Sequence, residues 1–121
     1  MKKILVVDDE TVALLRMKKI LGSEYAISLL KNGKDALDYI MDIGVPDLVI
    51  MDIEMPQMNG LDCVRSLREK KIQVPVLFMT GIEDEDIKNQ CRIFGNSVYV
   101  VKPGMPADIM EKVKSLLLAE E

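Results

Sequence analysis

Asp8, Asp9, Asp52, Thr80 and Lys102 are the residues whose types and positions could do chemistry in this chain. Each follows or closes a short apolar run. Ile4-Leu5-Val6-Val7 leads into Asp8-Asp9-Glu10, Leu48-Val49-Ile50-Met51 into Asp52, Val76-Leu77-Phe78-Met79 into Thr80, and a run ending at Val101 into Lys102. An apolar run with no polar alternation suits a strand buried on both faces, the habit of a parallel sheet. In open parallel sheets the ligand crevice lies beyond the carboxyl ends of the strands. Three acids, a hydroxyl and an amine would meet there. Carboxylates crowded together cannot all stay ionised without compensation. An oxygen-rich cluster with few protein ligands is what Mg²⁺ (or Mn²⁺) accepts while keeping its waters. Beside such a cation, one carboxylate can attack phosphorus as a nucleophile. The cation and a lysine offset the charge on the transferring phosphoryl oxygens, and Thr80 can hydrogen-bond the product. The chemistry implied is phosphoryl transfer onto an aspartate.

Taken singly, each of these residues has a plainer explanation. Asp8, Asp9 or Asp52 alone reads better as a helix N-cap or a solvated loop acid. Thr80 alone reads as a cap or turn residue, and Lys102 alone as a surface lysine. Solvation does not predict that four separate strand ends all supply a suitable group.

The elements that must position these groups are legible in order. Strands are expected at residues 3–7, 25–30, 47–52, 74–81 and 97–101. Helices are expected at 11–21 (Leu14, Met17 and Leu21 inward), 34–43 (Leu37, Ile40, Met41), 61–70 (Leu61, Val64, Leu67), 84–94 and about 106–118 (Ile109, Val113, Leu116, Leu117). The 84–94 helix has a thin apolar stripe of Ile87, Cys91 and Phe94, so it should be lightly held. Strict strand–helix alternation implies an α/β doubly wound parallel sheet of five strands with helices on both faces.

Composition bounds the rest. A length of 121 residues predicts one domain spanning residues 1–121, and the apolar content supports a core without disulfides. The net charge of −4 argues against direct nucleic-acid binding. The apolar runs are too short to span a membrane and the N-terminus too short for a secretory signal. Cys63 and Cys91 match no metal-ligand spacing and read as reduced thiols of a cytoplasmic protein. The chain has no histidine, so a mechanism needing one must borrow it from a partner. The nine methionines read as adaptable core filling.

The acidic pair Asp8-Asp9, the segment from Met51 through Asp52, Glu54 and Pro56 to Gly60, Thr80-Gly81, Tyr99 and Lys102-Pro103 stand in one order and spacing over essentially the whole chain. In this the chain resembles the receiver (CheY-like) domain of bacterial two-component response regulators. The resemblance implies a flavodoxin-like fold with strand order 2-1-3-4-5. It implies that Asp52 is the phosphoacceptor, and that Asp8, Asp9, Asp52 and the main-chain carbonyl of Glu54 hold Mg²⁺. Lys102 would pair with a phosphoryl oxygen, with the Lys102–Pro103 peptide cis. Thr80 would move toward the phosphoryl group and Tyr99 turn inward behind it. That switch would bias the face built from the fourth helix, fifth strand and fifth helix. The implied partners are a sensor histidine kinase or phosphotransfer protein and a downstream target or fused output domain, with a phosphorylation-dependent homodimer as a further option. Read from the residues alone, Tyr99 is equally an ordinary edge-strand aromatic.

Three positions bear on this pattern. Gly104 replaces a commoner bulky residue and is expected to loosen the loop into the last helix. Glu54 and Ile82 sit where family members vary to tune phosphoryl lifetime. Two other functions compete. One is a small aspartate-nucleophile phosphohydrolase of the haloacid-dehalogenase type, suggested by Asp8-Asp9-Glu10 and Phe78-Met79-Thr80. The other is a receiver used as a phosphorylation-independent docking module. The chain is either a whole regulator or a receiver from a longer one.

Overall fold

The computed structural model describes residues 1–119; Glu120 and Glu121, the end of the expected 1–121 domain, lie outside the described residues. The chain runs β1 (Lys3–Val7), α1 (Thr11–Leu21), β2 (Ala26–Leu30), α2 (Gly33–Asp42), β3 (Leu48–Asp52), α3 (Gly60–Glu69), β4 (Val76–Thr80), α4 (Glu85–Ile93), β5 (Ser97–Val101) and α5 (Pro106–Ala119). The five strands form one parallel sheet in the order β2-β1-β3-β4-β5. This is the expected flavodoxin-like arrangement.

The unbroken apolar runs are explained by burial on both faces. Leu5, Val7, Val49, Met51, Val76 and Phe78 point into a core closed by α2, α3 and α4. Their neighbours Ile4, Val6, Leu48, Ile50, Leu77 and Met79 point the other way, into a core closed by α1 and α5. The inner faces expected for α1, α3 and α5 are the buried ones.

On α2 the buried face is instead Gly33, Ala36 and Ile40, while Met41 is 53% exposed. Met41 lies one residue past Ile40, about a quarter-turn round the helix and off the apolar face. The methionines divide accordingly. Met17, Met51, Met55 and Met79 fill the cores, and Met1, Met41 and Met105 are exposed. Strand β4 begins at Val76, two residues later than expected. Pro75 has no N–H to give the ladder, although its carbonyl accepts from Val49 N at 2.9 Å. Gly104 adopts φ +70° and its carbonyl accepts from Arg16 Nη2 at 2.7 Å. A glycine there suits a left-handed turn that is held in place, which corrects the expectation of a loosened loop.

The order of crossovers places the switch point between β1 and β3, so Asp8 and Asp52 emerge side by side at the carboxyl edge. Helix α3 packs closely beneath that edge. A Cβ on Gly60 would collide with the Asp52 carbonyl oxygen and come within 2.7 Å of Met51 Cγ. Gly60→Ala is therefore expected to lower stability by about 1–3 kcal/mol, the usual cost of overpacking. Urea unfolding checks this, and a variant as stable as the parent removes the close-packing account.

Candidate functional site

Among the described residues, three polar or charged residues are buried: Asp8 at 5% exposure, Asp52 at 2% and Thr80 at 0%. All three stand at the carboxyl edge of the sheet, and all three were singled out by position in the sequence. Burying such groups costs stability unless they are paired.

Lys102 supplies the pairing. Its backbone N–H donates to Thr80 O at 2.7 Å, which fixes the start of the loop after β5 against the end of β4. Its ammonium then reaches back to Asp8 Oδ2 at 2.8 Å, Asp52 Oδ1 at 3.2 Å and Glu10 Oε1 at 3.7 Å. At 3.2 Å the contact to Asp52 is an ion pair. Asp52 Oδ1 is a buried oxygen with no hydrogen-bond partner. The Lys102–Pro103 peptide is cis, and Arg16 donates to the carbonyls of Pro103 and Gly104 at 2.6 and 2.7 Å.

These contacts set the electrostatics. Burial first, and the charge of Asp8 second, push the Asp52 carboxyl from 3.8 up to about 7, with Lys102 working in the opposite direction. Burial alone pulls the Lys102 ammonium down. The hydrogen bond to Asp8 and the charges of Asp52 and Asp8 outweigh that and leave it raised.

The acids at the start of α1 are not spent on capping it. Helices α2, α3 and α4 have side-chain N-caps in Asn32, Asn59 and Asp84. Helix α1 has Glu10 at its N-cap position and no side-chain cap bond. Asp8 accepts from Glu10 N at 2.9 Å through Oδ1. Asp8, Asp9 and Glu10 each offer a carboxylate oxygen, all within 4.8 Å of one another. This donor set is all oxygen and lies beside the orphaned Asp52 Oδ1, which fits a hard divalent cation. Asp52 stands outside that tight group, and Glu10 joins it.

Thr80 and Tyr99 are not drawn into this cluster. Thr80 Oγ1 donates to Glu54 Oε2 at 2.6 Å, and Gly81 N donates to Glu54 Oε1 at 2.8 Å. Tyr99 donates its hydroxyl to Ile82 O at 2.7 Å and accepts from Asp84 N at 3.4 Å. The Glu54 side chain was given no such role by the sequence. The sequence marked Glu54 only as a position that family members vary to tune phosphoryl lifetime, two residues past Asp52, with no bond to Thr80. A cavity of about 230 Å³ between α1 and the loop after β5 reaches Asp8, Asp52 and Lys102.

Comparison with known proteins agrees with the geometry. The family model described as "Response regulator receiver domain" matches residues 4–114. The alkaline phosphatase synthesis transcriptional regulatory protein PhoP of Bacillus subtilis is 31% identical over 121 residues, covering 99% of this chain and 50% of PhoP. The transcriptional regulatory protein ResD of the same organism is 35% identical over 116 residues, covering 95% of this chain and 48% of ResD. The chain thus spans about half the length of these relatives. Among solved structures, a CheY-like response regulator receiver domain protein from Methanospirillum hungatei superposes with a TM-score of 0.87 at 27% identity, covering 97% of this chain and 94% of that one.

The raised Asp52 gives a pH-dependent stability. An acid raised in the fold favours folding while protonated. Its ionisation cost is absent below the ordinary value of 3.8, grows as pH rises and is complete above about 7. In metal-free buffer, Asp52→Asn is expected to be more stable than the parent at about pH 8 by about 1–3 kcal/mol, the cost of ionising the carboxyl in the fold after discounting for solvent screening. The gap should shrink as pH falls. Thermal melts across that range check it, and a pH-independent gap would rule out the buried-charge account.

Proposed function

The chain belongs to the response regulator receiver domain family of two-component signalling, and from that premise we propose that it is a phosphorylation-activated switch whose phosphoacceptor is Asp52. The observation that carries this reading is the buried Asp52 Oδ1, lacking a hydrogen-bond partner and lying 3.2 Å from the Lys102 ammonium. It is the only such side-chain oxygen or nitrogen among the described residues. Receiver domains are signalling domains and not classical enzymes, so the phosphohydrolase alternative has no footing.

Asp52 attacks the donor phosphorus through a carboxylate oxygen. The new O–P bond forms as the donor's P–N bond breaks, and its electron pair leaves with the imidazole nitrogen. That imidazole belongs to a sensor histidine kinase or phosphotransfer protein, because this chain contains no histidine. Lys102 sits where its ammonium can offset charge on a phosphoryl oxygen while keeping its hydrogen bond to Asp8. Asp8, Asp9, Asp52 and the Glu54 main-chain carbonyl would hold Mg²⁺, with Glu10 close by. When bound, the ion supplies positive charge that offsets the clustered acids and the phosphoryl group. The thin apolar anchoring of α4, whose one buried residue is Cys91, supports movement of that helix.

Thr80 then donates to the phosphoryl oxygen, Tyr99 turns inward, and the α4–β5–α5 face changes partner affinity. The readers of that face are a downstream target, a fused output domain or a second copy of the chain. We place the protein in the cytoplasm, as one receiver domain over residues 1–121. No helix among the described residues is long and apolar enough to cross a membrane.

Acetyl phosphate with Mg²⁺ is expected to label the protein with one acid-labile phosphate. Asp52→Asn and chelation each abolish the label, and Lys102→Ala slows it by about a hundredfold or more. Mass spectrometry and filter binding read the outcome. Undiminished labelling of Asp52→Asn rules Asp52 out.

A further inference from the structure

We infer that the Glu54 carboxylate is a built-in latch that holds Thr80 in the unphosphorylated position, so that a phosphoryl group on Asp52 must win the Thr80 hydroxyl from Glu54. The inference rests on Asp52 being the phosphoacceptor. It assigns the Glu54 side chain a role distinct from that of its main-chain carbonyl.

A hydroxyl has one proton to donate. Thr80 is fully buried, so water cannot take that proton, and a 2.6 Å bond delivers it to Glu54 Oε2. Hydrogen bonds to an ionised acceptor are the stronger kind. The second oxygen of the same carboxylate receives Gly81 N at 2.8 Å, so Glu54 grips two consecutive groups at the end of β4. Meanwhile the nearby buried oxygen of Asp52 goes without any donor. The Thr80 hydroxyl is therefore committed to the wrong carboxylate for signalling.

The bonds continue past Thr80. Thr80 Oγ1 accepts from Ile82 N at 3.2 Å, Ile82 O accepts from the Tyr99 hydroxyl at 2.7 Å, and that hydroxyl accepts from Asp84 N at 3.4 Å. Asp84 is the N-cap of α4, accepting from Asp86 N and Ile87 N. One hydrogen-bonded chain thus links Glu54 to the first turn of α4. When Thr80 leaves Glu54, the Ile82 end of this chain loses its fixed acceptor, which releases Tyr99 and the helix start together. Glu54 is exposed at the loop surface, so replacing it leaves the core intact.

The test is a thermodynamic cycle read with beryllofluoride and Mg²⁺, which mimic the aspartyl phosphate. In an otherwise native chain, Glu54→Ala is expected to tighten beryllofluoride binding by on the order of tenfold, with Glu54→Gln between the two. In a Thr80→Ala background the same Glu54 substitution changes affinity little, and in Thr80→Ser its effect returns. Amide exchange at Gly81 quickens in Glu54→Ala without any ligand. Removing a negative charge near an anion also tightens binding, but that effect is the same with or without the Thr80 hydroxyl. Equal effects of Glu54→Ala in the native and Thr80→Ala backgrounds therefore overturn the latch. If the native chain binds beryllofluoride no better than Asp52→Asn does, the phosphoacceptor reading fails and the latch with it.

Discussion

One ammonium serves three carboxylates at the carboxyl edge of the sheet, and the rest of the site follows from how unequally it does so. Lys102 lies 2.8 Å from Asp8 Oδ2 and 3.2 Å from Asp52 Oδ1. Asp8 also accepts from Glu10 N, whereas Asp52 Oδ1 is buried with no hydrogen-bond partner. The unsatisfied oxygen is buried, raised toward neutrality and close to a positive charge. A buried ion pair with surplus negative charge is a poor source of stability. It is maintained here because the apolar strands on which it sits are packed from both faces. The fold holds a locally unfavourable carboxylate in place, and on the proposed reading a cation or a phosphoryl group would give it favourable partners.

The architecture was legible because its causes repeat along the chain. Two-sided burial writes itself as unbroken apolar runs, and one-sided helix packing as the Leu14–Met17–Leu21 and Ile109–Val113–Leu116 spacings. The polar ends of those runs were legible for the same reason, since an acid or lysine after a buried strand has no other place to go. Strand order was not readable from periodicity and entered through the family resemblance. Met41 was misplaced because a run of apolar residues in α2 is wider than the face it buries.

The Glu54 carboxylate was invisible for a different reason. It contacts Thr80 and Gly81 across 26 and 27 residues of sequence. A hydrogen bond between two loops imposes no spacing rule on either of them. The same holds for Arg16, whose guanidinium grips the turn after Lys102 from 87 and 88 residues away. Such bonds are properties of the assembled edge. A reading that proceeds element by element can place each partner on its loop and still miss that they meet.

The two ends of α4 are held by different forces. At the C-terminal end, Phe94 packs against Phe78 at 6.0 Å between ring centroids, and Arg68 donates to Phe94 O at 3.2 Å and Gly95 O at 3.4 Å while also gripping Ile72 O and Val74 O. That end is tied to the core and to α3. The N-terminal end has no fully buried side chain; Ile87 packs partly buried against the core, and the other ties are the Asp84 cap, the Tyr99 hydroxyl and Lys88 over the Tyr99 ring. Burial resists displacement over the whole buried area, whereas a hydrogen bond is lost once its partner shifts by about an ångström. The end of α4 nearest the site is therefore the more lightly held of the two. On the proposed reading, a rearrangement of one hydroxyl and its acceptor acts at that end, where hydrogen bonds carry more of the anchoring than they do at the far end.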